Sequence, residues 1–307
     1  MRTLSRHGRL FASIAVAGLL LVGCGTGPSK MGAAAVVGDT RIPVSQVKAW
    51  FGDVLDEEPQ LRSQLEKQHQ YDELGRALAG QLVRRELIAK AAERERLSVD
   101  EQQVDAVMDR WRRSGATEGS IFTEENVRGF ARDDALLLEL GRRYFDGLSI
   151  TFDYTQATTR SEAERKAHRM AESDAVATEL INSDRAGGTP AGTGQRLRAT
   201  DSPKLAAATP LFGAEPGTVL AFEPEPNAGQ WLIVRIEERE ASPAPRASAA
   251  DESTLRALGG QLLGLTAQRA GVQLSPRYGV WDPIGLSPVP DEGQTTGFRI
   301  PGDPGRA

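Results

Sequence analysis

Hydrophobic spacing divides the chain into a helical part and a later part that contains strands. Leu10 to Val22 is an apolar run broken only by Ser13 and Gly18. It is shorter than the roughly 20 residues that a lasting membrane-spanning helix needs. Val36-Val37 and Arg41-Ile42 flank the turn dipeptide Gly38-Asp39, so a short hairpin is expected there. Pro43 suits the first position of a helix, whose apolar face is Val44, Val47, Trp50 and Phe51. Glu57-Glu58-Pro59 ends that helix, and residues 60–70 are polar. From Tyr71 to Arg96, Leu74, Leu78 and Leu82 recur at i, i+4 steps, widened by Val83, Leu87, Ile88 and Ala91. Ser98 with Glu101 has the spacing of a capping box and opens a helix to about Arg113, with Val104, Val107, Met108 and Trp111 on one side. Thr123 is placed to cap the next helix, which runs to Phe145 and carries Val127, Phe130, Ala131, Leu138, Gly141 and Tyr144.

At Ile150 the period changes from helical to alternating: Ile150, Phe152 and Tyr154 alternate with polar residues. Thr159 with Glu162 is a second capping box, for a charged helix to about Ile181. Residues 184–203 read as loop. Val219–Phe222 and Gln230–Ile236 read as strands, so this stretch is an α+β unit. Ala241 to Ala250 is a Pro/Ala linker. Leu255, Leu258, Leu262 and Leu265 mark a helix, in which Gly259, Gly260 and Gly264 are small enough for a close crossing. Residues 272–282 are too apolar and aromatic for a free tail, and need the Val36–Ile42 hairpin as partner sheet. From Pro283 the Pro/Gly-rich chain is expected to be disordered. The fold class expected is mainly α with small β.

Composition adds constraints. Lys+Arg is 37 against 42 Asp+Glu, which does not fit a nucleic-acid binder. Arginine far outnumbers lysine, in keeping with a high-GC bacterial genome. The one cysteine, Cys24, follows the basic segment 1–9 and the apolar run, within Leu21-Val22-Gly23-Cys24. That order is the pattern of a lipoprotein signal peptide, with Cys24 as the lipidated residue. Acyl chains at ~0.8 kcal/mol per buried CH₂ would then anchor the chain to the cell membrane, outside the cytoplasm. With histidine only at 7, 69 and 168, no Cys- or His-rich metal site and no cofactor is expected. Gly192-Thr193-Gly194 lacks the setting of a dinucleotide fingerprint, and no nucleophile–base pair is evident, so no catalytic residue is assigned.

The stretches VVGDTRIPVSQV (36–47), SEAERKAHRMAESDAVATELINS (161–183), the strands to 240 and SPRYGVWD (275–282) together resemble SurA/PrsA-like extracytoplasmic foldases. The resemblance implies a signal peptide (1–23), a tether (24–33) and a chaperone domain (34–149). A parvulin-like module (150–240) is then inserted before the linker (241–250). A returning helix and strand (251–282) complete the first domain, and a disordered tail (283–307) follows. It implies unfolded or exported polypeptides as partners. Where parvulin isomerases carry histidines, this chain has Tyr154 and Leu232, and their Gly-Gly-Asp-Leu-Gly stretch has no counterpart in 187–200. Prolyl isomerase activity is therefore expected to be weak or lost. An active isomerase, or an envelope lipoprotein with one specific partner, are the alternatives. Candidate peptide-binding residues are Trp50, Phe51, Met108, Trp111, Phe130, Tyr144, Tyr154 and Trp231. Most of these also suit plain core positions.

Overall fold

The computed structural model describes residues 31–117, 120–243 and 250–302. Cys24 and its apolar run lie outside the described residues, as does most of the linker. Strand β1 (Ala33–Val37) is buried along its whole length and turns at Gly38 (φ 62°) into β2 (Thr40–Pro43). Then come α1 (Val44–Glu57), α2 (Pro59–Gln68), α3 (Tyr71–Glu95), α4 (Glu101–Ser114) and α5 (Val127–Tyr144). The α+β part holds β3 (Leu148–Ala157), α6 (Arg160–Glu172), α7 (Asp174–Ala186), β4 (Gly192–Arg198), α8 (Pro203–Ala208), β5 (Val219–Phe222) and β6 (Trp231–Ala241). The chain closes with α9 (Glu252–Ala270), β7 (Val272–Leu274), β8 (Val280–Asp282), β9 (Ser287–Val289) and β10 (Gly297–Ile300). The architecture is mainly α with small sheets.

β1 is the centre of a three-stranded antiparallel sheet, with β2 on one side and β7 on the other. Val36 faces Gln273 and Val37 faces Val272. The second sheet has the order β10-β5-β6-β3-β4 and is antiparallel throughout. Side chains alternate across its faces. One face, with Ala221, Trp231 and Ile233, packs under α6 and α7 around Met170 and Ile181. The other, with Leu220, Val234 and Ile236, joins the core that continues through Phe212 and Leu262 into the helical part.

That continuity revises the picture of a self-contained insert. Helix α9 is the shared wall, and glycines bring its neighbours onto its backbone. A Cβ on Gly259 would lie 2.0 Å from the Leu137 carbonyl oxygen, and one on Gly141 would lie 1.8 Å from that of Leu255, so α5 and α9 cross in direct backbone contact. A Cβ on Gly213, in the turn after α8, would lie 2.0 Å from the Gln261 oxygen. The α+β sheet is thereby fastened to the same helix as the helical part.

Several local expectations are corrected. The capping box before α4 is built by Asp100 and Gln103, not Ser98 and Glu101: each side chain takes the other's backbone N–H, both at 2.8 Å. Helix α5 starts at Val127, and it is the Asn126 side chain that accepts the Thr123 N–H, at 2.9 Å. The helix expected to reach Ile181 breaks at Ser173, whose extended backbone and hydroxyl, 3.2 Å from the Val176 N–H, begin α7. The stretch read as loop contains β4, an exposed edge strand without apolar alternation. Residues 280–282 pair with β9 and do not lengthen the β1 sheet.

The largest correction is the segment after Pro283, which is folded through residue 302. Asp282, fully buried, accepts from the Ile284 and Thr296 backbone N–H groups at 2.9 and 2.8 Å and from the Thr296 hydroxyl at 2.7 Å. β10 then adds to the edge of β5, from Gly297 opposite Phe222 to Ile300 opposite Val219. Arg299 on β10 is almost wholly buried. It donates to the carbonyls of Gly213 (2.8 Å) and Pro283 (3.2 Å) and to the Gln268 side chain (3.2 Å). Burial pushes its guanidinium down to about 10.

Candidate peptide-binding groove

The apolar stripes of α1, α4 and α5 bring Trp50, Trp111 and Phe130 together, as their spacing required. Phe122, from the segment between α4 and α5, completes the row. The ring centroids run Trp50–Phe130 5.2 Å, Phe130–Phe122 5.1 Å and Phe122–Trp111 5.0 Å, the last pair stacked at 7°. Trp50 and Phe130 are buried, whereas Trp111 and Phe122 are half-buried and form the open end. The Trp50 indole N–H donates to the Ile121 carbonyl at 2.8 Å, which fixes the segment carrying Phe122.

Two hollows flank the row. One, of about 280 Å³, lies between α1 and α5 beside Trp50, Asp53 and Gly129. The other, of about 150 Å³, lies under Trp111, Phe122 and Ile88. Arg85 and Phe130 line both. The Arg85 guanidinium sits 4.9 Å from the centre of the Phe130 ring, a cation–π contact. Gly129 leaves the space for it, since a Cβ there would come 2.8 Å from Arg85 Nη2.

Charges beneath the row tie four helices. Arg85 Nε is 2.9 Å from Asp133, and Arg256 Nε is 2.8 Å from Asp134, which also binds Arg110. Burial pushes the Asp133 carboxyl up to about 6, an effect only partly offset by Arg85 and the arginines at 132 and 84. The groove offers aromatic faces, two hollows and the cations of Arg84 and Arg85, which suits holding apolar side chains of an extended chain. Among the described residues no cluster of His, Cys, Asp or Glu is arranged to hold a metal ion.

The other candidate residues lie elsewhere. Met108 is partly buried in a small α4–α5 core around Val104 and Val107. Phe51 packs on Tyr71, 6.0 Å between centroids, at the α1–α3 contact. Tyr144 donates its hydroxyl to Glu95 and lines a separate hollow against α9, with burial raising its pKa first and Glu95 second. Tyr154 and Trp231 are not one site: they sit on opposite faces of the second sheet. Tyr154 packs with Phe152 on the core side, over Gly192, where a Cβ would be 2.8 Å from its ring. Trp231 is buried beside Phe298 (6.1 Å), with the Arg160 guanidinium 5.6 Å from its ring. Leu232 is half-buried against the central core.

Sequence reasoning missed Phe122, Arg85, Arg160 and Phe298. Arg85 is polar on an amphipathic helix and reads as solvated. The other three lie at loops or termini, where spacing carries no signal.

Residues 1–112 match the family model of the SurA-like N-terminal domain. The match covers the segment that holds β1, β2 and α1 to α3 and most of α4, and it supports a chaperone-type role with polypeptide clients. No curated protein and no solved structure matches the chain. Among the described residues no helix is long and apolar enough to cross a membrane.

Proposed function

We propose that this protein is a membrane-anchored, extracytoplasmic chaperone that holds unfolded segments of exported polypeptides in the groove between α1, α3, α4 and α5. The observation that carries the reading is the half-open Trp111–Phe122 stack, backed by buried Trp50 and Phe130, next to the SurA-like segment. Shallow aromatic contacts that many sequences can satisfy suit a binder of many clients. The decisive experiment measures suppression of aggregation of a reduced, unfolded model protein. Replacing Trp111→Ala and Phe122→Ala together should weaken holding by about tenfold, the loss of roughly 1.4 kcal/mol of stacking. Unchanged holding by a folded double variant would overturn the groove.

The anchor is the lipidated Cys24. Changing Cys24→Ala should move the protein out of the membrane fraction or leave it unprocessed. The α+β part is a parvulin-like module of weak or lost isomerase activity. The presence of Tyr154 and Leu232 where the resemblance implies histidines supports this, as does their packing against the core. An assay on Xaa-Pro peptides should show little acceleration; efficient turnover lost on Tyr154→Ala would make the protein an isomerase instead.

A further inference from the structure

A larger cavity, about 550 Å³, lies at the seam where α3 and α9 meet the loop after β5 and the C-terminal segment. Its volume is in the range of small-ligand sites, ~300–1,000 Å³. Its apolar walls include Pro210, Phe222, Pro224, Ala257, Ile284 and Leu286. One cation reaches it: Arg84 from α3. Gly260 makes room for that side chain, since a Cβ there would lie 3.2 Å from Arg84 Nη2.

The neighbouring arginines are matched and Arg84 is not. Arg85 holds Asp133 and Arg256 holds Asp134, at 2.9 and 2.8 Å. Arg84 makes no hydrogen bond or ion pair among the described residues, and the two aspartates act on it only at longer range. Burial lowers its pKa, the aspartates raise it, and burial is the larger effect. The Arg84 side chain is half-buried and its guanidinium still reaches the solvent of the cleft, where a carboxylate would answer its planar fork with two parallel hydrogen bonds.

The wall also carries one carboxylate, Glu223, and otherwise neutral polar groups. Glu223 accepts the Asn227 backbone N–H at 2.7 Å. The Thr296 hydroxyl donates to Asp282 and keeps its lone pairs. The Gln261 side chain has no partner among the described residues, so it can meet a peptide N–H or C=O. We propose that this cleft captures the free C-terminus of a polypeptide. The α-carboxylate sits on the Arg84 guanidinium and the last apolar side chains lie against Phe222, Ile284 and Leu286. A fatty carboxylate would use Arg84 and the walls but leave Gln261 and Thr296 idle, so the peptide end is the better match. The proposal rests on the client-binding reading, but at a second cleft, which shares Arg84 with the smaller hollow of the aromatic groove.

The test uses the mature full-length chain and fluorescence anisotropy. The probe is an N-terminally labelled pentapeptide ending in Val-Leu, as the free acid and as the C-terminal amide, with decanoate as competitor. The free acid should bind saturably and the amide about tenfold more weakly, a loss of one charge-assisted contact. Arg84→Gln should weaken the acid by a similar factor and Arg84→Lys should retain part of it. Ala257→Trp, at an exposed position on the cleft wall, should block binding without touching Arg84 and without a folding penalty. No saturable binding of the acid, equal binding of acid and amide, or full binding by Ala257→Trp would each overturn the proposal. So would displacement by decanoate at equal concentration, which would assign the cleft to fatty carboxylates. The Trp111→Ala, Phe122→Ala variant separates the two sites. Retained capture of the acid with lost holding sinks neither. Lost capture in that variant would deny the cleft its independence and overturn it.

Discussion

The helical part and the α+β part both bury apolar faces in one continuous core, but they finish their surfaces differently. In the helical part the aromatic row is left half-open at Trp111 and Phe122. In the α+β part both faces of the sheet's centre are covered, Ile233 under α6 and α7 and Ile236 against the core shared with α9, while the edge strand β4 is exposed. The opposite edge, beyond β5, is covered by β10. An unfinished apolar surface marks a place for something else to bind, whereas a closed sheet is structural. The centre of the α+β sheet is thus the better sealed, and that part opens toward a ligand only where it meets α9, at the cleft beside Phe222.

The comparison is broken most strongly at the seam. Gly259→Val places side-chain atoms where the Leu137 carbonyl lies, 2.0 Å from the Cβ position. The α5–α9 crossing cannot then form, and the expected cost exceeds about 4 kcal/mol. Urea unfolding followed by far-UV circular dichroism should lose its cooperative transition; a wild-type curve would mean the two parts do not depend on this crossing. Arg299→Met should cost about 3 kcal/mol, because three acceptors from the two parts lose a buried charged donor. Client holding per folded molecule should be unaltered by it. If holding falls while stability does not, the α+β part contributes to the groove.

A smaller effect is set by pH. Asp133 titrates at about 6 in the fold against 3.8 for an ordinary aspartate. The folded state therefore binds the proton that the unfolded state releases, and Asp133's contribution to stability falls as pH rises from 4 to 6. Two units correspond to at most roughly 2–3 kcal/mol. The unfolding free energy of wild type minus that of Asp133→Asn should decline across this window and level off above it. A difference that stays flat would mean that the carboxylate is solvated. Smallest is Ser173→Ala, which removes the α7 cap for about 1 kcal/mol and should leave holding intact.

Much of this architecture was legible because local and long-range requirements agreed. The hairpin at Gly38-Asp39, the long α3 stripe and the four leucines of α9 each fit one period. The orphan hairpin and the orphan strand at Val272 could be matched because each lacked a partner. What escaped was fixed by contacts distant in sequence. Strand β4 has no apolar alternation, since it is an exposed edge held by backbone pairing to β3. The C-terminal segment has the composition of a disordered tail, but Asp282, Arg299 and Arg160 each supply hydrogen bonds that composition does not register. In the groove, Trp50, Trp111 and Phe130 were visible as helix faces, and Phe122 was not. Strand spacing without a register cannot tell which face Tyr154 and Trp231 each occupy; the alignment of Tyr154 with Val234 and of Ala157 with Trp231 puts them on opposite faces.

The last strands of the chain have a consequence for how it is made. β7 completes the sheet begun by β1, and β10 covers the edge of β5, so both sheets wait for residues near the C-terminus. A chain that emerges N-terminus first keeps two unpaired strand edges until residues 272–300 have followed. Such edges are templates for association, and long-range pairing is slow to form. Copies that end before residue 272 would lack both strands and remain open to proteolysis. Closure of both sheets thus reports that these two late strands have been made and placed.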